Sequence, residues 1–323
     1  MFKRKMATLI TCSSLAVTLF GPLSVNASES EINEHIVDPK TMVVKTDKAM
    51  TKEEVDQILK SLNEKTKSSL SKSLANNKDE SVEEKSKKGK EFIERYNKIY
   101  NSNDRGITIQ GTHDDNTAKL RQGNFIETIL DLNEGMNDLQ ISKVVLNGNT
   151  AKSAAKQQYP NDSQLEDAFR HYSWNFISTK DSIVGKIKTR TATINHEWGL
   201  RLVNPALSVF NEGYEKYVKQ GKPSDTASNA AMNDVIQWAP GFKENCITAA
   251  KSSYSFFKGF FSVANIMDLS NNVWGRSGPT DYPGASYTSA FLQDKGKNNL
   301  ILNEAYVGDY QYNMVWQNQW YTY

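Results

Sequence analysis

Residues 167–176 read DAFRHYSWNF, and the spacing of their polar members decides how this region folds. Asp167, Arg170 and His171 stand three and four residues apart, so a helix sets them on one face while Phe169 and Trp174 fall on other sides. Asp162 and Ser163 supply a cap for that helix, with Pro160 just outside its start. An acid, a base and an imidazole thus share one helical face in a chain that has four histidines.

The same helical reading extends in both directions. NFIETILDLNEGM (124–136), DLQISKVVLNG (138–148) and NTAKSAAKQQYP (149–160) precede the stretch as helices separated by turn signals. TASNAAMNDVIQWAP (226–240) and NCITAAKSSYSFFKGFFSVANIMDLSNNVWG (245–275) follow it as two more helical segments. Further upstream, Thr51 with Glu54 forms a capping box, and Val55, Ile58, Leu59 and Leu62 make an amphipathic stripe. EFIERYNKIY (91–100) is helical, with Phe92, Tyr96 and Ile99 on one face, and ITIQG (107–111) alternates like a short strand. The expected fold is mainly α: a helical main domain over 111–323, preceded by a polar leader and a charged helical or linker region over 28–110. Residues 64–90, rich in Lys, Ser and Glu, read as a solvated helix or flexible linker.

The tail 304–323 breaks the helical habit. Tyr306, Gly308, Tyr310, Tyr312, Met314 and Trp316 alternate with mostly polar residues, the period of a strand or hairpin. Its aromatic face either packs on the domain or offers a stacking surface for sugars or a peptide.

The N-terminus reads as a secretory signal peptide over 1–27. Lys3, Arg4 and Lys5 form its basic region, MATLITCSSLAVTLF its apolar region, and VNA ends on the small Ala27. Thr11 before Cys12 argues against a lipoprotein cysteine. The mature chain is expected to be bacterial, secreted and without a transmembrane segment, since no later stretch approaches the ~18 apolar residues of a membrane helix. Cys246 then remains as the one thiol, which excludes an intramolecular disulfide. A formal charge of +2 on 323 residues removes the electrostatic case for nucleic acid or an anionic membrane.

Two further segments resemble the opening one in kind. INHEWG (194–199) holds the adjoining His196 and Glu197, and MDLSNNVWGR (267–276) repeats the three-and-four spacing in Asp268, Asn271 and Asn272, followed by Gly275 and Arg276. In order, DAFRHYSWN, NHEWG and MDLSNNVWGR resemble an uncharacterised family of bacterial domains patterned D-A-F-R-H-x-x-W-N, then H-E, then M-D-L-x-N-N-x-x-G-R. The resemblance covers about 145–280, under half the chain, and implies no established reaction. It departs from that pattern in the 71 residues between His196 and Asp268, which are fewer in the family, so 200–262 reads as an insertion.

The residue types admit three accounts. His171, His196, Asp268 and Asp167 are sufficient ligands for a divalent metal such as zinc, with Glu197 as ligand or general base and Arg170 or Arg276 holding an anionic group. Without metal, Asp167 or Glu197 would fix the tautomer of His171 or His196 for acid–base work, with Asn271, Asn272 and Trp174 meeting substrate. In the third account the same groups join helices as a satisfied polar network, each pair contributing about 0.5–3 kcal/mol. There is no H-E-x-x-H, because Leu200 stands where the second histidine belongs, and no nucleophile elbow or nucleotide-binding loop. Two function classes follow: a secreted hydrolase with a His/Glu/Asp site acting on an unidentified substrate, or a non-catalytic secreted module binding a cell-surface polymer or a partner protein.

Overall fold

A computed structural model describes residues 37, 40–75, 80–100 and 111–322, all within one compact unit, Glu34–Tyr323. The signal peptide and nearly all of ITIQG lie outside the described residues. The described residues are mainly α: twelve α-helices, one 3-10 turn and no strand. No helix among them is long and apolar enough to cross a membrane.

Two long helices form the scaffold. The helix α7 (Gly185–Lys219) turns at 220–223 into α8 (Ser224–Ser252), and the two pack along each other. Leu202, Phe210, Trp238 and Phe242 are buried between them and their neighbours, together with Phe257 and Phe260 of α9 (Tyr254–Phe260). Segment 200–262 is therefore a major contributor to the largest core. Pro240, which punctuates the sequence there, sits inside α8, where Trp238 and Phe242 anchor the helix on both sides of the missing hydrogen bond.

The described part of the charged N-terminal region is packed. Helix α1 (Lys52–Ala75) starts at the expected Thr51–Glu54 capping box, and Trp238 Nε1 donates to its Asn63. Helix α2 (Val82–Tyr100) lies on α8 so closely that a Cβ on Gly89 would stand 2.0 Å from the Asn229 carbonyl oxygen. The boundary placed between this region and the main domain falls inside one compact unit, and of 64–90 the residues 64–72 and 82–90 belong to two docked helices. The described part of the leader is fastened as well. Lys45 exchanges backbone hydrogen bonds with the Asn313 carboxamide (3.0 and 2.8 Å), and Met50 N–H reaches the Ser255 carbonyl (3.0 Å).

Asn313 belongs to α12 (Asp309–Gln317), which replaces the expected aromatic strand. The 3-10 turn Glu304–Tyr306 precedes it. Alternation in so short a run fits either element, and with no strand among the described residues to pair with, a helix satisfies the backbone by itself. Tyr312 OH donates to the Phe261 carbonyl (3.0 Å) and Trp316 Nε1 to that of Ala250 (2.9 Å), whereas Tyr306 and Tyr310 stay exposed.

The remaining helices surround the segments of interest. These are α3 (His113–Arg121), α4 (Asn124–Asn133), α5 (Asp138–Gln158), α6 (Ser163–Lys180), α10 (Val263–Asp281) and α11 (Tyr287–Gly296). Segments 138–148 and 149–160 are one helix, α5, whose Gly148 packs on the Trp174 indole.

Candidate functional site

The site lies where α6 meets α10. Asp162 caps α6 by accepting from Leu165 N–H (3.0 Å), and a Ser262–Asn265 capping box starts α10. Gly275 lets the two helices touch: a Cβ there would stand 2.4 Å from the Tyr172 carbonyl oxygen. That contact faces the 167/170/171 side of α6 toward the 268/272/276 side of α10, while Asn271 turns away.

His171 is the centre, 1% exposed. Its Nδ1 lies 3.1 Å from Asn272 Oδ1, an oxygen that also accepts from Asn175 Nδ2 (2.6 Å). An acceptor on that side puts the ring proton on Nδ1 and leaves the lone pair on Nε2. Nε2 then receives Arg170 Nη2 at 2.8 Å and stands 3.3 Å from Asp268 Oδ1 and 4.0 Å from Asp167 Oδ1. Burial keeps the imidazole well below the ordinary histidine range, and the charges of Arg170 and His196 add to this. A neutral histidine and two carboxylates thus bring one ligand atom each within 4.8 Å of one another. Asp268 Oδ1 accepts no hydrogen bond, and burial, helped by the negative fields of Glu197 and Asp167, lifts its carboxyl well above the usual carboxylate range.

A second layer holds this geometry. Arg276 Nη1 donates to Asn175 Oδ1 (2.9 Å) and Thr193 Oγ1 (3.0 Å), and Asn175 passes the constraint to Asn272 and to the His171 carbonyl (2.9 Å). Arg276 is 1% exposed and braces the cluster from behind.

The other expected site residues are placed differently. Asn271 pairs with the Ile301 backbone in both directions (2.8 and 3.0 Å) and fastens that loop, and Trp174 Nε1 donates to the Val144 carbonyl (2.9 Å), joining α6 to α5. His196 Nδ1 lies 3.0 Å from Glu127 Oε2 on α4. Burial opposes its charge, but Glu127, helped by Glu197, outweighs burial and raises its pKa. Its ring sits 6.2 Å, centroid to centroid, from that of His171. Glu197 is fully buried; Oε2 accepts from Asn265 Nδ2 (2.8 Å), Oε1 has no hydrogen-bond partner, and burial raises its pKa. Of the four expected metal ligands, Asp167, His171 and Asp268 converge; His196 is held apart by Glu127.

Sequence reasoning missed Glu127 and Asn175. Asn175 stands one turn beyond His171, so the spacing that singled out Asp167 also points to it; Glu127 showed only as a charged residue in an apolar helix. A second buried cluster forms around Asn195 of the middle motif: Lys243 Nζ meets Glu134 Oε1 (2.8 Å) and Asn195 Oδ1 (2.5 Å), and Asn195 Nδ2 meets Asp131 Oδ1 (2.8 Å).

The chain matches no protein-family model, no curated protein and no solved structure. The family resemblance rests on the three quoted segments alone.

Proposed function

We propose that this chain is a secreted bacterial hydrolase whose reactive centre is a divalent cation held by Asp167, His171 and Asp268. One observation carries the reading: the Nε2 lone pair of a neutral, Nδ1-anchored histidine converges with two carboxylate oxygens, one of them, on Asp268, buried and without a hydrogen bond. An N,O,O donor set of this kind suits zinc or manganese. A cation there would polarise an ester oxygen and activate water. Asn272 holds the imidazole in the ligating tautomer, and Glu197, its pKa raised, is placed beside the cluster to carry a proton. Asp167 and Arg170, with side chains 32% and 31% exposed, mark the side from which substrate arrives.

The test is metal content after incubation with Zn2+ or Mn2+ and desalting, followed by assay against bis-p-nitrophenyl phosphate and p-nitrophenyl esters. About one cation per chain is expected, with activity, and both are lost in His171→Ala and Asp268→Asn. Wild type that retains no more metal than His171→Ala and hydrolyses neither substrate overturns the reading. The second reading, a non-catalytic secreted module, draws on the near-complete burial of His171 and the Arg276–Asn175–Asn272 chain, which would serve equally to tie α6 to α10.

A further inference from the structure

Arg170 is the member of the cluster that a ligand set does not explain. Its guanidinium donates to Asp167 through Nε (3.0 Å) and through Nη2, and Nη2 also meets His171 Nε2. A guanidinium only donates, so it consumes the single lone pair that a bound cation requires. Arg170 and a cation therefore cannot hold His171 Nε2 together. The guanidinium also fills the position incompletely, because Asp268 Oδ1 lies 3.3 Å from Nε2 and still accepts no hydrogen bond. His171 and Asp268 are buried, whereas the Arg170 side chain reaches solvent, so the path out of the cluster runs along Arg170 itself.

We infer that the Arg170 guanidinium is a placeholder in the cation position, and that an incoming divalent cation releases it to grip the oxygens of a phosphate-type ligand bound at that cation. The inference rests on the metal-centre reading and names the substrate class of the same site. Its chemistry is that of paired recognition: an oxyanion of a phosphoester meets a cation on one side and a planar bidentate guanidinium on the other. Metal and phosphate then bind in order, because the anion clamp forms only after the cation has displaced it. Arg276, by contrast, is 1% exposed and lies against Asn175 and Thr193.

Calorimetry on the full secreted chain tests this with Mn2+ alone and then with inorganic phosphate, in wild type, Arg170→Gln, Arg170→Lys and Asp268→Asn. Removing the competitor in Arg170→Gln is expected to tighten Mn2+ binding by about two- to fivefold, the equivalent of one displaced, partly exposed ion pair. Phosphate is expected to bind wild type only when Mn2+ is present, and to bind Mn2+-loaded Arg170→Gln at least about tenfold more weakly. Arg170→Lys, which keeps a charge without the planar fork, is expected to lose phosphate affinity as well. Thermal melting of each variant with and without Mn2+ shows that it folds, and the Mn2+-induced rise is expected to be largest for Arg170→Gln. Mn2+ affinity in Arg170→Gln equal to or below wild type overturns the inference while leaving the metal centre standing. Phosphate affinity unchanged in Arg170→Gln and Arg170→Lys overturns the anion-clamp half. If neither wild type nor Arg170→Gln binds Mn2+, the metal-centre reading fails and this inference falls with it. A crystal structure of the Mn2+-loaded protein is expected to show Arg170 turned away from His171 Nε2, and a retained contact overturns the displacement.

Discussion

His171 Nδ1 and Asn272 Oδ1 face each other at 3.1 Å across the α6–α10 seam, although 101 positions separate them along the chain. This contact decides the tautomer of the buried histidine and so which nitrogen faces Asp167 and Asp268. Asn272→Ala leaves the Nδ1–H and the Asn175 carboxamide without that acceptor, a loss of about 1–3 kcal/mol in urea denaturation. Mn2+ affinity is expected to fall by about 10–100-fold in the same variant. Unchanged metal affinity would remove Asn272 from the ligand-orienting role.

Gly275 is predicted to be among the least replaceable residues of the seam. A methyl there meets the Tyr172 backbone at 2.4 Å and Asn175 Cβ at 2.8 Å, so Gly275→Ala must push α10 away from α6. A cost of about 1–3 kcal/mol is expected from overpacking, with loss of metal binding. Gly296→Ala is the control: its Cβ meets nothing within 4 Å, and thermal melting should show it neutral or slightly stabilised.

The Glu127–His196 pair gives stability a defined pH dependence. Burial works against the imidazolium, but Glu127 prevails and the folded pKa lies above 6.5. A raised folded value means the stabilisation is fully present below the unfolded pKa of ~6.5 and is lost as pH rises through the folded one. Glu127→Gln keeps an acceptor for Nδ1 and drops the charge. Its destabilisation in denaturant titrations is expected to be larger near pH ~5.5 than near pH ~9, and equal losses at both would contradict the pairing.

Cys246 should be silent in the native state. It is fully buried in the core formed by α7, α8 and α9, and burial pushes its thiol far up. Reaction with a disulfide reagent is expected only in denaturant, at a rate set by opening of the core. Fast native labelling would show that this core opens.

Asn313→Ala is predicted to free the leader. The carboxamide holds Lys45 from both sides and reaches Tyr254 OH (2.9 Å), and Lys45 Nζ lies over the Trp316 ring at 4.3 Å. Limited trypsinolysis should cut at Lys45 and Lys48 faster in the variant, with α1 onward intact. An unchanged digestion pattern would show that the remaining contacts suffice.

The helices were legible because their signals are local. Thr51 with Glu54 and Asp162 before α6 cap helices as read, since a cap needs only its own first turn. Reading failed where neighbours decide. The aromatic alternation of 306–316 suits a strand until a partner strand is sought among the described residues, and the polarity of 82–90 says nothing of Gly89, which seats α2 on α8. The three-and-four spacing of Asp268, Asn271 and Asn272 marked one polar group, but only packing separates Asn272, facing His171, from Asn271, facing Ile301.

Sequence alone determined that α6 carries Asp167, Arg170 and His171 on one face and that α10 carries Asp268 and Asn272 on another, because a 3.6-residue period is a property of each helix by itself. That the two faces meet, that Glu127 takes His196 out of the cluster, and that Arg276 lies behind it were decided only by tertiary structure. Close approach at Gly275 depends on the whole packed core to press the helices together, and side chains a hundred residues apart acquire shared chemistry only once that core has formed.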